Sequence, residues 1–368
     1  MAQDRLALLI VVEPRGTPAG SVRDAVSTLN PGYFALVMGT GIISVAMRNN
    51  HVPAISIPMF AVAAASWIVL VVLHCWRAAH YWQQLRADFT DPRRAFGFFT
   101  FVAATEVLGT RSELEGYRVV AMILLVLGLV SWFVLGYIVP WTAVLNPSIR
   151  PALTGANGSW FIWVVASQSV AVLTATLEPT FDSGRHELAL IAVFSWAVGA
   201  FLYAGVGVLV IARLLLYPLR AEDFTPVYWV AMGATAITVL AGARIVQMAD
   251  APMVAATRGL IAGSSVMFWA FGTWLVPVLC AAAWWRHITH RIPLVYEATL
   301  WSIIFPLGMY AVASYYLGHA DRLPIVRVIG DVMSWISLIA WAAVFVAMIR
   351  HLTTHLVLRR PGTSGPQK

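Results

Sequence analysis

The chain has 368 residues, of which 60% are hydrophobic and 11% charged, with a formal net charge of +7. Soluble domains carry roughly 25% charged residues and are less than half apolar, so an ordinary soluble globule is excluded, and the wealth of Trp, Phe, Leu and Val excludes disorder. The basic residues are spread between apolar runs instead of forming a patch, which argues against nucleic acid and leaves an integral membrane protein.

In chain order, residues 1–30 read as a cytoplasmic tail, 31–351 as a transmembrane domain, and 352–368 as a second cytoplasmic tail. Leu6 to Val12 is apolar but too short, and followed by Glu13 and Pro14, to read as a signal peptide. Ten apolar stretches then match a bilayer core of about 30 Å: 33–47, 57–79, 96–110, 117–139, 158–177, 188–216, 227–248, 259–285, 296–317 and 327–350. The first is short, but Asn30 and Pro31 supply an N-cap and a first-turn proline that start its helix earlier. The third, 96–110, is short as well. Short loops between the stretches require antiparallel hairpins, five in all, and leave no room for a soluble domain. Most of the 24 Lys and Arg residues fall on the face that carries both termini, which by the positive-inside rule is cytoplasmic.

Ser, Thr, Asn and Gln are denser in the odd-numbered stretches than in the even ones. Polar side chains at membrane depth need a partner or water. The alternation therefore predicts an all-α architecture in which odd helices surround a central pore and even helices lie outside, facing lipid or other subunits. Pore-lining candidates on this reading are Thr40, Ser44, Thr105, Ser167, Gln168, Thr235, Thr238 and Ser302, with Pro306 as a helix breaker. The competing reading is that small hydroxyls serve close helix packing.

Two ionisable residues lie inside apolar runs, Glu106 and Arg244, each four residues from the outer end of its stretch. Equal depth makes them candidates for an ion pair, for an anion-attracting arginine, or for a protonatable carboxylate that couples transport to protons. His287 with His290, and His351 with His355, have helical spacing but sit at helix ends beside arginines, and read as interfacial side chains, not metal ligands. Cys75 and Cys280 read as packing residues. No HExxH, GxSxG or GxxxxGK[ST] pattern occurs, so neither an enzyme nor an ATPase is indicated, and no metal or cofactor is implied.

The segments Asn30 to Met47, NPGYFALVMGTGIISVAM, and Ala298 to Met309, ATLWSIIFPLGM, resemble the first and ninth helices of the tellurite-resistance/dicarboxylate transporter family. That family includes fungal malate permease, a fungal sulfite exporter and the slow-type anion channel of plant guard cells. The resemblance implies a homotrimer in the plasma membrane, a pore in each protomer, and a phenylalanine on the ninth helix that plugs it, which falls on Phe305. Met38 to Gly41, MGTG, look more like the malate and sulfite transporters than the bacterial tellurite-resistance protein. The expected cargo is a small anion of the chloride, nitrate, sulfite or dicarboxylate class. The alternative is a proton-coupled carrier or exporter of dicarboxylates or sulfite in which Glu106 takes the proton.

Overall fold

The computed structural model describes residues 22–146, 151–249 and 251–354, so most of both tails lies outside it. Among the described residues the protein is all-helical. In chain order the helices are α1 (Val22–Ser27), α2 (Ala35–Asn49), α3 (Pro53–His80), α4 (Trp82–Thr90), α5 (Phe99–Glu113), α6 (Arg118–Val139), α7 (Phe161–Leu177), α8 (Arg185–Leu216), α9 (Val230–Ile245), α10 (Pro252–Trp284), α11 (Trp301–Ala320) and α12 (Pro324–Leu352). Eight helical segments, those built on α3 and on α6 to α12, are long and apolar enough to cross a membrane. The two predicted stretches that miss this standard are the short ones: α2 and α5 have 15 residues each and carry Arg48, Glu106, Arg111 and Glu113.

Five helices form a closed inner ring. α2 packs on α5, α5 on α7, α7 on α9, α9 on α11, and α11 returns to α2. Their side chains are buried almost throughout. Each inner helix also packs against the long helix that follows it, namely α3, α6, α8, α10 and α12 in turn. These outer helices expose large apolar side chains such as Phe201, Leu215 and Met267, as a surface facing hydrocarbon or another subunit would. Cys75 and Cys280 lie on this outer surface and are exposed, not packed inside as their apolar neighbours suggest.

Every inner helix begins with a 3₁₀ turn: Pro31–Phe34, Ala95–Phe98, Gly158–Trp160, Pro226–Trp229 and Ala298–Leu300. The Asn30 side chain caps the first by accepting from the Gly32 amide at 2.8 Å, as the Asn-Pro pair predicts, and Asn157 accepts from Ser159 N at 2.7 Å. The five turns touch one another in sequence around a second closed ring. All five helix amino termini therefore meet at one mouth. Two close approaches depend on glycine there. A β-carbon on Gly97 would lie 3.0 Å from Gly32 N, and one on Gly158 would overlap the Val227 carbonyl.

A set of indoles ties the outer layer to the inner ring with nearly the same bond five times. Trp67 Nε1 donates to Thr105 Oγ1 at 3.0 Å, Trp132 to Ser167 Oγ at 2.8 Å, Trp196 to the Thr238 carbonyl at 3.1 Å, Trp269 to Ser314 Oγ at 2.9 Å and Trp341 to Thr40 Oγ1 at 3.0 Å. Each outer helix thus reaches the next inner helix, and α12 closes the cycle on α2. Trp341→Phe removes the donor and the pyrrole part of the ring, so it is expected to cost about 1–3 kcal/mol. Thermal unfolding in mild detergent checks this, and an unchanged midpoint would show the bond to be without net worth.

Candidate functional site

The ring encloses a chain of cavities along its axis. At the amino-terminal mouth a cavity of about 70 Å³ is bordered by Arg93, Arg94, Ser159, Thr299 and Ser302, together with Asn30, Gly32, Gly97, Ile162, Val227 and Ala298. Aligned peptide dipoles place positive potential at helix amino termini, and five of them converge here. Arg94 is held on the wall by Asp88, Nε to Oδ1 at 2.9 Å, while Arg77 grips the other oxygen of Asp88 at 2.7 Å. Arg77 is 1% exposed and also donates to the Ser27 carbonyl, so α1 is anchored to the same cluster.

Further along the axis all five inner helices contribute to a narrow, mostly apolar space of about 20 Å³. Its walls are Ile42, Val45, Val107, Thr110, Ser169, Val172, Ile237, Leu240, Met309 and Val312, and Arg244 and Tyr316 also border it. Tyr316 in turn borders a wide vestibule of about 800 Å³ at the carboxy-terminal mouth, with Arg48, His51, Arg111, Glu115, Gln247 and His319. On α11 the stripe Ser302, Met309, Val312 and Tyr316 runs from the first cavity to the last. Phe305 falls on this stripe, one turn from Ser302 and one from Met309, between the first two cavities. It is 1% exposed. Gly39 and Gly233 let this part of α11 sit close: a β-carbon on Gly233 would lie 2.8 Å from Pro306 Cγ, and one on Gly39 would lie 3.2 Å from Ile304 Cγ2.

Most of the predicted pore hydroxyls take partners away from these cavities, the exceptions being Ser302, and Ser44, whose partners Ser56 and Arg111 border the vestibule. Thr40, Thr105 and Ser167 accept the indole N–H groups described above. Ser44 donates to the Ser56 carbonyl at 2.7 Å and accepts from Arg111 Nε at 2.8 Å. Gln168 Nε2 donates to the Trp196 carbonyl at 3.1 Å, and Thr238 Oγ1 donates to the Ala234 carbonyl at 2.7 Å. Thr235 Oγ1 donates to the Met232 carbonyl at 2.6 Å and lies against Gly272 of α10. Pro306 packs on Gly233. Ser302 borders the amino-terminal cavity. The polar excess of the odd stretches is thus spent largely on gluing inner to outer helices, because a hydroxyl in an apolar layer must find a partner and the indoles supply one.

Glu106 and Arg244 do not pair. The Glu106 carboxylate reaches α6 and lies against Gly128, and neither oxygen has a hydrogen-bond partner among the described residues. Arg244 instead stacks its guanidinium 4.1 Å from the Tyr316 ring centroid, with Nε buried and lacking an acceptor. Equal depth along the chain did not make them neighbours because they project from the ring in different directions. Gln168 repeats the Glu106 arrangement one hairpin later, lying against Gly199 of α8. A β-carbon at Gly128 would overlap Glu106 Oε1. Gly128→Ala is therefore expected to destabilise by about 1–3 kcal/mol through overpacking, whereas Glu106→Gln keeps the fold. Equal thermal midpoints for Gly128→Ala and the parent would show the pocket to be looser than this.

Two groups of charged side chains that border the cavities were missed in the sequence. Arg93 and Arg94 sit just before the third apolar stretch and read as loop charge, yet the ring of 3₁₀ turns places them at the mouth. Arg111 follows the stretch end and is fully buried, held by Ser44, Ser56 Oγ at 3.0 Å and Glu115 Oε1 at 2.6 Å, with its guanidinium 4.9 Å from the Phe60 ring centroid. The hydrogen bond from Arg111 is the main cause that holds the Glu115 carboxyl below its usual range. The vestibule therefore keeps this ion pair into mildly acid solution, and loses its contribution as pH falls through the lowered value.

A ring of five helices around an axial passage, with basic groups at both mouths and an apolar neck, defines a membrane transport protein. The sequence profile of the voltage-dependent anion channel family matches residues 28–349, and the chain belongs to that family. It is 66% identical over 152 residues to an uncharacterized membrane protein of Mycobacterium tuberculosis, covering 41% of this chain and 77% of that one. Two uncharacterized transporters of Methanocaldococcus jannaschii align over more of the chain. One is 24% identical over 343 residues, or 91% of this chain and 97% of the relative, and the other 25% identical over 331 residues, or 88% and 95%.

Proposed function

We propose that the protein passes small anions across the plasma membrane through the passage in each protomer, with Phe305 as its gate. The position of Phe305 on the α11 stripe, between a polar cavity and an apolar neck, carries this reading. An apolar constriction that excludes water stops an ion by refusing it solvation. The membrane domain, 31–351, then has ten crossings arranged as five hairpins. α2 and α5 reach across because 15 helical residues at about 1.5 Å and four 3₁₀ residues at about 2.0 Å sum to about 30 Å. Both tails, 1–30 and 352–368, and the amino-terminal mouth face the cytoplasm, and the outer helices meet lipid and the other subunits of a homotrimer.

Anion selectivity comes from helix amino termini at the cytoplasmic mouth and from Arg244 at the other, weak enough to let the ion leave. The Glu106 side chain is turned toward α6 and away from the cavities, which supports the channel over a carrier driven by protonation of that residue. The test is flux and current in proteoliposomes, comparing the parent with Phe305→Ala under chloride, nitrate, sulfite and malate gradients. Currents that reverse near each anion's equilibrium potential and ignore a pH gradient are expected. Uptake that requires the pH gradient and is abolished in Glu106→Gln would establish the carrier instead.

A further inference from the structure

The cavity at the amino-terminal mouth has more built into it than an entrance needs. Ser159 is 6% exposed, borders the cavity, and its hydroxyl has no hydrogen-bond partner among the described residues. The buried Thr299 hydroxyl, on the opposite side of the chain's ring order, is unpartnered too. An orphaned buried hydroxyl costs free energy unless something accepts its proton. Five helix starts supply positive potential around the same space. Asp88, whose carboxylate is already shared by Arg77 and Arg94, cannot cancel the charge of Arg93 as well. Among the described residues no Asp or Glu borders the cavity, and the nearby Asp91 carboxylate accepts from the Arg93 amide at 2.9 Å.

We propose that this cavity is a saturable binding site for one small inorganic anion, a halide or a small oxyanion, which waits there below Phe305. Ser159 and Thr299 donate their hydroxyl protons to it, and Arg93 and Arg94 supply the field. This deepens the channel reading and rests on it for the idea that the bound ion is cargo. A cavity of about 70 Å³ has room for such an ion together with part of its hydration water.

The test is a nitrate titration of the full-length protein in detergent, read as the rise in thermal midpoint at constant ionic strength with gluconate as the replaced anion. The parent is expected to saturate. Ser159→Ala removes only an unpartnered hydroxyl, so the fold persists, and its apparent nitrate affinity falls about tenfold, the scale of one hydrogen bond to a charged group. Arg93→Gln is expected to weaken nitrate as well, while Arg322→Gln, exposed at the other face, leaves the titration unchanged. Equal titrations for the parent, Ser159→Ala and Arg93→Gln overturn the site. A flux assay separates this from the channel reading: no anion flux with Phe305→Ala overturns the channel, and a Ser159-dependent titration would then still establish the site as a binding site.

Discussion

Phe305→Ala raises anion conductance in proteoliposomes by about two orders of magnitude, which is what lowering a barrier by about 3 kcal/mol gives. Phe305 is 1% exposed and lies on the α11 stripe between Ser302, which borders the amino-terminal cavity, and Met309, which borders the neck. With it in place, an ion leaving Ser302 must shed its water with no polar group to replace it. Truncation to a methyl group opens a continuous space that water can enter. Phe305→Leu fills part of that space and gives an intermediate conductance. The neck beyond it is mostly apolar, with only the Thr110 and Ser169 hydroxyls on its wall before Arg244 and Tyr316, so the opened pore passes weakly hydrated anions such as nitrate better than chloride. If Phe305→Ala is folded by its elution profile and yet conducts no more than the parent, the ring is packing and the gate lies elsewhere.

Arg244→Glu, made in the Phe305→Ala background so that current is measurable, lowers the ratio of anion to cation permeability by about tenfold. Arg244 borders the far end of the neck, and its charge is met by the face of Tyr316 instead of a carboxylate. A cation neutralised by an acid would contribute little field, whereas one against an aromatic ring keeps its full charge toward the passage. Reversal of its sign therefore repels what it used to attract. Because the adjoining vestibule is wide and admits salt, the effect is expected to shrink as salt is raised from about 0.1 M toward about 1 M, where screening shortens to about 3 Å. Reversal potentials across asymmetric KCl gradients measure this. A ratio that does not move on charge reversal would show that selectivity is set at the amino-terminal mouth alone.

Fold class and layering were legible in the sequence, since the length and spacing of the apolar runs fix where helices can cross, and the Asn30-Pro31 cap marked the start of the first. The α11 stripe through Phe305 was legible only together with the resemblance carried by ATLWSIIFPLGM. What the sequence did not reveal was direction around each helix. Thr40, Thr105 and Ser167 lie on inner helices as expected, but the faces that carry them meet Trp341, Trp67 and Trp132. Polar content locates a helix in a layer, and only the bonding partner tells whether a hydroxyl points to the axis or away from it. The same ambiguity put Glu106 beside Arg244, when the small surface of Gly128 was what made room for the carboxyl. Arg93, Arg94 and Arg111 were hidden for a different reason. Their roles depend on turns and loops brought together from separate hairpins, a juxtaposition with no local signature.

The bond from Trp341 to Thr40 spans 301 residues, and the contact of α11 with α2 spans nearly as many. Neither can form until α11 and α12 have been synthesised. Until then α2 holds an unfilled edge toward the helices still to come, with the Thr40 hydroxyl lacking its indole. Closure is thus a late, long-range event of the kind that slows assembly. A lesion in the final helix is then expected to impair assembly, although no α12 residue borders the axial cavities.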